Sequence, residues 1–239
     1  MQVEVVDGPG EVARTAAELV WEAVRLRPEG RIALPTGATP VPMYAELRRR
    51  VESGAYDFSG ATAYAIDEFC DATATTPGTN SAFYRQHVCI GAKALRCPDP
   101  AAPDPEQHIR AFAEEIRQGG GVSLCVLGIG VNGHVAFNEP GAARDSRARV
   151  VELTQTSRLA HAATFGELER VPERGMTLGV ADLLEAHAIL VLVTGAHKAA
   201  IVRAAIEGPA TTDVPASWLH EHANITWLLD RDAASMLGR

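Results

Sequence analysis

The chain has 239 residues, 46% of them apolar, and carries 22 basic against 30 acidic side chains for a formal net charge of -8. This length suits one large α/β domain or two small ones, and the apolar fraction permits a sizeable core. The acidic balance argues against nucleic acid as the main partner, although a local basic pocket can still bind a phosphate. No stretch approaches the roughly 18 uninterrupted apolar residues of a membrane span, and residues 1–24 show no basic region followed by an apolar run as in a secretory signal.

The four cysteines show neither C-x-x-C pairing nor the density of a disulfide scaffold; they are Cys70, Cys89, Cys97 and Cys125. We therefore expect a reduced, cytoplasmic protein without a metal site built on these thiols.

Strand and helix patterns alternate along the first half of the chain. Strands are predicted at residues 3–6, 31–34 and 61–66, and helices at 11–26, 41–51, 81–88 and 106–118. The helical segments repeat their apolar residues every three or four positions, as the helix between residues 11 and 26 does with Val12, Ala16, Leu19 and Val20. Segments 71–80 and 97–105, rich in proline or in threonine and glycine, are predicted loops.

The second half continues the same alternation. Residues 122–127 are almost all apolar, which is typical of a strand covered on both faces in a parallel sheet. Further elements are predicted at 150–153 (strand), 157–165 (mobile helical segment), 176–184, 188–193 (strand), 197–207 (helix) and 225–229 (strand). We expect residues 155–175 to form a mobile lid.

The alternation predicts a single doubly wound α/β domain over residues 1–239, with a mostly parallel, Rossmann-like central sheet flanked by helices. Ligands of such sheets bind outside the carboxyl ends of the strands. Four loops that follow predicted strands are therefore the candidate binding loops; they span residues 35–40, 67–71, 128–141 and 194–198.

The loop at 128–141 contains Gly128-x-Gly130-x-x-Gly133, the spacing of a dinucleotide-binding turn, and Glu152 follows about twenty residues later. That turn requires a helix whose amino terminus faces the pyrophosphate. Pro140 and Gly141 leave room for barely two helical turns, and the segment lies past the middle of the chain. We therefore interpret these glycines as places where the backbone passes close to a ligand.

The same loop carries groups suited to proton transfer. His134 provides an imidazole, a natural proton shuttle, Glu139 can orient and stabilise that imidazole, and Asn132 lies two residues before the histidine. A histidine that caps a turn beside a solvated glutamate is the alternative.

Each of the other candidate loops also has both a functional and a purely structural interpretation. Thr36, Gly37, Ala38 and Thr39 provide hydroxyls and free backbone amides suited to a phosphate, or form an ordinary turn. Asp67 and Glu68 are a candidate catalytic pair or an acidic pair at a helix start. Lys198 is a candidate phosphate-binding cation or a lysine on a helix surface.

Several segments resemble the glucosamine-6-phosphate deaminases, a family that shares its fold with the 6-phosphogluconolactonases. The resemblance is carried by LPTGATPVPMYAEL (34–47), IDEF (66–69), GIGVNGHVAFNEPG (128–141), RAAIEGP (203–209) and VPASWLHEHANITWLLDRDAAS (214–235). It covers essentially the whole chain. The lactonases differ after the Gly-His pair and carry an arginine at the position of Phe69.

The resemblance implies ring opening of glucosamine 6-phosphate, aldose–ketose isomerisation to fructose 6-phosphate, and release of ammonia. It implies that Asp67 moves the proton from C2 to C1, that His134 opens the ring and that Glu139 supports His134. The phosphate would be held by the loop from Thr36 to Thr39 and by Lys198. No metal or organic cofactor is implied, and the partner is a small amino-sugar phosphate bound by a monomer or small homo-oligomer.

Three departures from the family pattern bear on the function. Asn132 replaces an aspartate found in many members, so it stabilises an imidazolium less. Ala163 stands where the family usually presents a phosphate-binding arginine. Either Arg158, Arg174 or another residue replaces that arginine, or the preferred substrate is a different amino sugar.

The third departure concerns regulation. Arg149 matches an arginine of members that an amino-sugar phosphate activates, but Ala142 and Val151 replace its polar partners, and the chain ends at Arg239. We expect no rise in turnover when N-acetylglucosamine 6-phosphate is added. A galactosamine 6-phosphate or unphosphorylated amino-sugar isomerase, a 6-phosphogluconolactonase and a non-catalytic sugar-phosphate sensor remain the alternatives.

Overall fold

A computed structural model describes residues 1–238. In chain order the elements are β1 (Gln2–Val6), α1 (Pro9–Leu26), β2 (Arg31–Leu34), α2 (Val41–Glu52), β3 (Thr62–Ala65), β4 (Asp67–Phe69), α3 (Asn80–His87), β5 (Ala94–Arg96), α4 (Pro105–Gln118), β6 (Leu124–Leu127), β7 (Arg149–Glu152), α5 (Gln155–Phe165), β8 (Arg174–Thr177), α6 (Val180–Leu184), β9 (Ile189–Val193), α7 (Ala199–Glu207) and β10 (Ile225–Asp230). Short 3-10 helices lie at Leu168–Arg170, Ala196–Lys198 and Pro215–Glu221.

The central sheet has seven strands in the order β1-β10-β9-β6-β2-β3-β5, and all its pairings are parallel. The predicted doubly wound α/β fold is therefore confirmed. From β2 the chain winds through β3 to β5 at one edge, and from β6 it winds back through β9 and β10 towards β1. The winding direction changes between β2 and β6, and the crevice at such a switch point is where open α/β sheets bind ligands.

Both faces of the central sheet are covered, because successive strand residues alternate between two apolar cores. On β6, Leu124 and Val126 belong to the core under α1, α2 and α3, whereas Cys125 and Leu127 belong to the core under α4, α6 and α7. This alternation explains why nearly every position of the predicted strand at 122–127 is apolar.

Three strands form a second, antiparallel sheet in the order β4-β8-β7, which the sequence patterns do not predict. The predicted strand at 150–153 belongs to this small sheet, and the predicted loop at 67–71 begins with β4. The chain changes sheets at Ile66, whose carbonyl accepts the Leu178 amide at 2.9 Å. The small sheet is built from strands of three or four residues, and β4 pairs with a strand more than 100 residues away, so local periodicity carries little trace of it.

Other differences concern the ends of elements. Helix α1 begins at Pro9, two residues before the predicted start, because proline at the first helical position needs no hydrogen-bond acceptor. The edge strand β5 is three residues long and lies within a segment that shows no strand pattern. The predicted helix at 197–207 starts as a 3-10 turn and becomes α-helical at Ala199. Among residues 1–238, none of the helices has the length and apolar character needed to cross a bilayer.

Candidate active site

The four predicted binding loops follow β2, β3, β6 and β9, which are neighbours in the central sheet. Because all four strands are parallel, their carboxyl ends lie along one edge, as the sequence pattern predicts. Between Leu127 and Arg149 the chain forms turns and no helix, so a dinucleotide-binding turn is absent from this fully described segment.

Asp67 lies at the start of β4 and is 6% exposed. The Asn80 side-chain amide donates a hydrogen bond to Asp67 Oδ1 at 2.6 Å and another to the Asp67 carbonyl at 3.0 Å. Burial, with a smaller contribution from the charge of Glu68, raises the pKa of Asp67 from 3.8 to about 8. A carboxylate with this pKa can exchange a proton near neutral pH.

Glu68 anchors the start of helix α3. Its carboxylate accepts the backbone amides of Phe69, Asn80 and Ser81 at 2.7–2.9 Å, and the Ser81 hydroxyl at 2.6 Å. Burial raises the pKa of Glu68, and these hydrogen bonds oppose the rise. The interpretation of an acidic residue at a helix start therefore applies to Glu68, although the helix begins twelve residues later in the chain.

The loop after β6 folds back so that Gly130 lies against the ring of His134. The Gly130 amide donates to the His134 carbonyl at 2.9 Å, and the Gly133 amide donates to the Gly130 carbonyl at 3.0 Å. A methyl group on Gly130 would overlap the imidazole ring. Gly133 has a φ of 87°, a left-handed conformation that favours glycine.

His134, Glu139, Asn132 and Ser157 form a compact polar cluster. His134 Nδ1 lies 3.6 Å from Glu139 Oε2 and 3.4 Å from the Ser157 hydroxyl. The Asn132 amide donates to Glu139 Oε2 at 2.8 Å, and its carbonyl oxygen accepts the His134 backbone amide at 3.3 Å. Asn132 thus contacts the carboxylate of Glu139 and the backbone of His134. The imidazole of His134 is oriented by Glu139 and Ser157 instead.

Glu139 keeps its charge in spite of being buried. Burial raises its pKa, but hydrogen bonds with His134, Ser157 and Asn132 and the charge of His134 together lower the pKa to about 2. Its second oxygen, Oε1, is buried and has no hydrogen-bond partner within residues 1–238. The cluster therefore holds a carboxylate that faces an imidazole and retains one free acceptor.

Strand β8 supports this loop from the side of the small sheet. The Thr177 hydroxyl accepts the Phe137 amide at 3.2 Å, and the Leu178 carbonyl accepts the Asn138 side-chain amide at 2.9 Å. Arg149 donates to Asn138 Oδ1 at 3.0 Å. These contacts hold the two residues immediately before Glu139.

The loop from Thr36 to Thr39 connects β2 to α2. Gly37 has a φ of 97°, and Gly37 and Ala38 are exposed. Within residues 1–238, the backbone amides of Gly37, Ala38 and Thr39 donate to no acceptor. Free amides near the start of a helix are suited to an anion.

Lys198 lies at the end of the 3-10 turn after β9, and its ammonium group donates to the Ile129 carbonyl at 2.7 Å. Burial lowers the pKa of Lys198. The two arginines that could replace the absent one are engaged elsewhere: Arg158 donates to the carbonyls of Leu168 and Val171 at 3.3 and 3.1 Å, and Arg174 pairs with Asp71 at 2.9 Å. Of these three cations, only Lys198 contacts the loop that carries His134.

Helix α5 forms one wall of the polar cluster. Ser157, which is 1% exposed, and His161 lie one helical turn apart on its inner face, whereas Ala163 is exposed. Phe165 packs in a small apolar cluster with Phe69, Phe137, Leu153 and Val171.

Sequence patterns missed two residues of this site, namely Asn80 and Ser157. Asn80 could have been noticed because it ends a loop rich in threonine and glycine and begins a helix. Ser157 carries no such signal. Among residues 1–238, no group of three or more His, Cys, Asp or Glu side chains is arranged to hold a metal ion.

Comparison with known proteins gives a consistent result. The family model described as glucosamine-6-phosphate isomerases/6-phosphogluconolactonase matches residues 9–227. A glucosamine-6-phosphate deaminase of Rhodopirellula baltica is 35% identical over 243 residues, which cover 100% of this chain and 97% of that protein. One of Streptomyces avermitilis is 37% identical over 244 residues, covering 98% of this chain and 93% of that protein.

Solved structures agree. A monomeric glucosamine-6-phosphate deaminase superposes with a TM-score of 0.95 at 31% identity, covering 99% of this chain and 100% of that chain. A 6-phosphogluconolactonase of Trypanosoma brucei, at 19% identity, shares the fold with a TM-score of 0.80 over 99% of this chain and 98% of that chain. Together with the family match over most of its length, these likenesses establish that the chain belongs to the glucosamine-6-phosphate isomerase/6-phosphogluconolactonase family.

Proposed function

We propose that this protein is an enzyme that converts glucosamine 6-phosphate and water to fructose 6-phosphate and ammonia, in keeping with the names of its relatives. One observation carries the proposal: a buried carboxylate of raised pKa and a separate imidazole–carboxylate pair follow neighbouring parts of the central sheet, at the same edge. Aldose–ketose isomerisation of an amino sugar needs both, because one group must move a proton between carbons while another serves the ring oxygen.

Asp67 is the proposed base. It takes the proton from C2 of the opened sugar and returns it at C1, which requires a carboxylate that is ionised before the step and protonated after it. Its pKa of about 8 lets both forms exist near neutral pH.

His134 is the proposed acid–base group for ring opening. It gives a proton to the ring oxygen and takes one from the C1 hydroxyl. Glu139, which keeps its negative charge, stabilises the protonated imidazole at 3.6 Å. Asn132 assists indirectly, because its amide holds Glu139 Oε2.

The phosphate is proposed to lie against the free amides of Gly37, Ala38 and Thr39, with the Thr36 hydroxyl and Lys198 beside it. Gly130 and Gly133 let the backbone of the neighbouring loop approach the sugar. Residues 155–175 are the proposed lid, since helix α5 brings Ser157 to the cluster. A monomer or small homo-oligomer in the cytoplasm is the proposed form, supported by the monomeric relative and by four free thiols.

The direct test incubates the purified protein with glucosamine 6-phosphate and measures ammonia and fructose 6-phosphate. We expect both products in equal amounts, with the Asp67→Asn variant giving the background rate. Turnover no higher than that background would refute the proposal, and thermal stabilisation by the sugar phosphate without turnover would favour a sensor.

A second candidate is an isomerase of an unphosphorylated amino sugar. The observation that favours it is the shortage of cations: Ala163 carries no charge, and Arg158 and Arg174 are paired elsewhere. Glucosamine, galactosamine 6-phosphate and 6-phosphogluconolactone are therefore assayed alongside glucosamine 6-phosphate. The ratio of kcat/KM values identifies the preferred sugar.

Lys198→Ala separates the two candidates. If Lys198 binds the phosphate, its removal costs about 1.5–3 kcal/mol of charge-assisted hydrogen bonding, so kcat/KM for glucosamine 6-phosphate falls by about 10- to 150-fold. Turnover of unphosphorylated glucosamine changes little. Lys198→Arg is the control that keeps the charge, and an equal loss for both sugars would show that Lys198 has no phosphate-specific role.

A further inference from the structure

Asn80 connects two of the candidate loops through its side-chain amide. Its Nδ2 group donates to Asp67 Oδ1 at 2.6 Å, and its Oδ1 accepts the Thr36 hydroxyl at 3.1 Å. Asp67 follows β3 and Thr36 follows β2, so the amide spans two neighbouring strands of the sheet. A continuous hydrogen-bonded chain thus runs from the loop proposed for the phosphate to the proposed base.

The backbone of Asn80 is held in place by contacts that are separate from the hydrogen bonds of its side chain. It is the first residue of α3 and is 3% exposed. Its backbone amide donates to Glu68 Oε1 at 2.9 Å, while the next residue, Ser81, donates twice to Glu68 Oε2. The side chain of Asn80 therefore leaves a backbone that is already held in place, which is the condition for precise orientation of a neighbour.

The amide also has only one favourable orientation. With Nδ2 towards Asp67 it donates to two acceptors, and with Oδ1 towards Thr36 it accepts a hydroxyl proton. Turning the amide over would place its oxygen against the carboxylate and the carbonyl of Asp67, which are acceptors too. The charged form of a buried carboxylate is favoured by each hydrogen bond that it accepts.

We propose, on the basis of the function proposed above, that Asn80 is a positioning residue that holds the Asp67 carboxylate for proton transfer and links it to the Thr36 loop. The Thr36 hydroxyl has one proton, so an anionic oxygen bound at that loop competes with Asn80 for it. Occupation of the phosphate loop thereby changes the partner of the amide that holds the base. This gives the remote phosphate an influence on kcat as well as on KM.

The test compares Asn80→Ala with Ser81→Ala as a matched control. Both changes remove one polar side chain at the start of α3, but the serine contacts Glu68 and not Asp67. We expect Asn80→Ala to lower kcat by about 10- to 100-fold with KM within about threefold. Ser81→Ala is expected to keep kcat and its pH profile.

A second readout does not depend on turnover. In protein labelled with ¹³C-aspartate, the Asp67 carboxyl signal is assigned by its loss in Asp67→Asn. In Asn80→Ala this carboxyl should titrate about one pH unit higher, because it has lost a donor to its charged form. Thr36→Val should give a smaller rise and a fall in kcat of about 3- to 10-fold, and Thr36→Ser, which keeps the hydroxyl, should restore both.

The outcomes are distinct. An Asn80→Ala protein whose Asp67 titrates as in the wild type and whose kcat lies within twofold would overturn the proposal, even if its melting temperature falls. Should Asn80→Ala fail to fold, Thr36→Val and Thr36→Ser decide in its place. Failure of the wild type to turn over glucosamine 6-phosphate refutes the proposed function, while the titration still tests the link between Asn80 and Asp67.

Discussion

Replacing Asp67 by asparagine is expected to reduce kcat for glucosamine 6-phosphate by at least about 10³-fold, because the amide cannot accept the C2 proton. General-base groups contribute about 10²–10⁴-fold to proton-transfer reactions. Glu68 is the nearest in sequence, but its oxygens are occupied by the start of α3. The measurement is ammonia release at saturating substrate. A variant that retains more than a tenth of wild-type kcat would show that Asp67 is not the base.

The Asp67→Asn variant should be more stable than the wild type at alkaline pH. Greater stability would show that its loss of kcat is not due to loss of folding. The pKa of Asp67 is raised from 3.8 to about 8, so the folded state binds its proton more tightly than the unfolded state does. Ionisation of Asp67 therefore destabilises the fold as the pH rises from about 4 to about 8. Asparagine avoids this cost, and its advantage in unfolding free energy should grow over that range to about 1 kcal/mol or more.

The wild-type pH profile follows from the same pKa. A base must be ionised in the free enzyme, so kcat/KM should rise with pH and level off above about 8. A profile measured from pH 5 to pH 9 in which kcat/KM does not rise with pH would contradict the role given to Asp67.

Replacing Gly130 by alanine is expected to lower kcat by about 10²-fold while leaving the fold intact. The added methyl overlaps the His134 imidazole, and the ring can move aside because it is the far end of a side chain. Gly130 has an ordinary backbone conformation, so alanine introduces no backbone strain. A displaced ring loses its alignment with Glu139 and the sugar, and misplacement by about 1 Å costs about 10²-fold.

Gly128→Ala is the matched control for this prediction. Gly128 lies in the same loop, but a methyl group there meets no atom within 4 Å. We expect wild-type kcat for Gly128→Ala and unchanged melting temperatures for both variants within about 2 °C. Equal losses in the two variants would mean that the loop tolerates no side chain at all, and the specific contact with His134 would have no role.

The central sheet could be predicted from sequence because each of its strands is a short apolar run followed by a helix with a clear period. Those patterns are local, and the rule for parallel sheets then placed the four binding loops at one edge. The small sheet could not be predicted in this way. Asp67 to Phe69 form only three residues of strand, and their partner on β8 lies more than 100 residues away.

The residues of the site also fall into two groups, those that a local sequence pattern can suggest and those that come from distant parts of the chain. His134, Glu139 and Asn132 lie within eight residues of one another, so the sequence could suggest that they act together. Asn80 and Ser157 reach the site from other elements, and only the packing of α3 and α5 shows which way they face. The partner of Asn132 could not be predicted for a similar reason, since spacing alone does not show whether an amide contacts the ring or the carboxylate.

Strand β8 and the residue that follows it contact both halves of the proposed proton-transfer machinery. Leu178 donates to Ile66, immediately before the base, and accepts from Asn138, immediately before Glu139, while Thr177 accepts from Phe137. The separation of base and acid is therefore set by one extended segment that lies outside the substrate-facing loops.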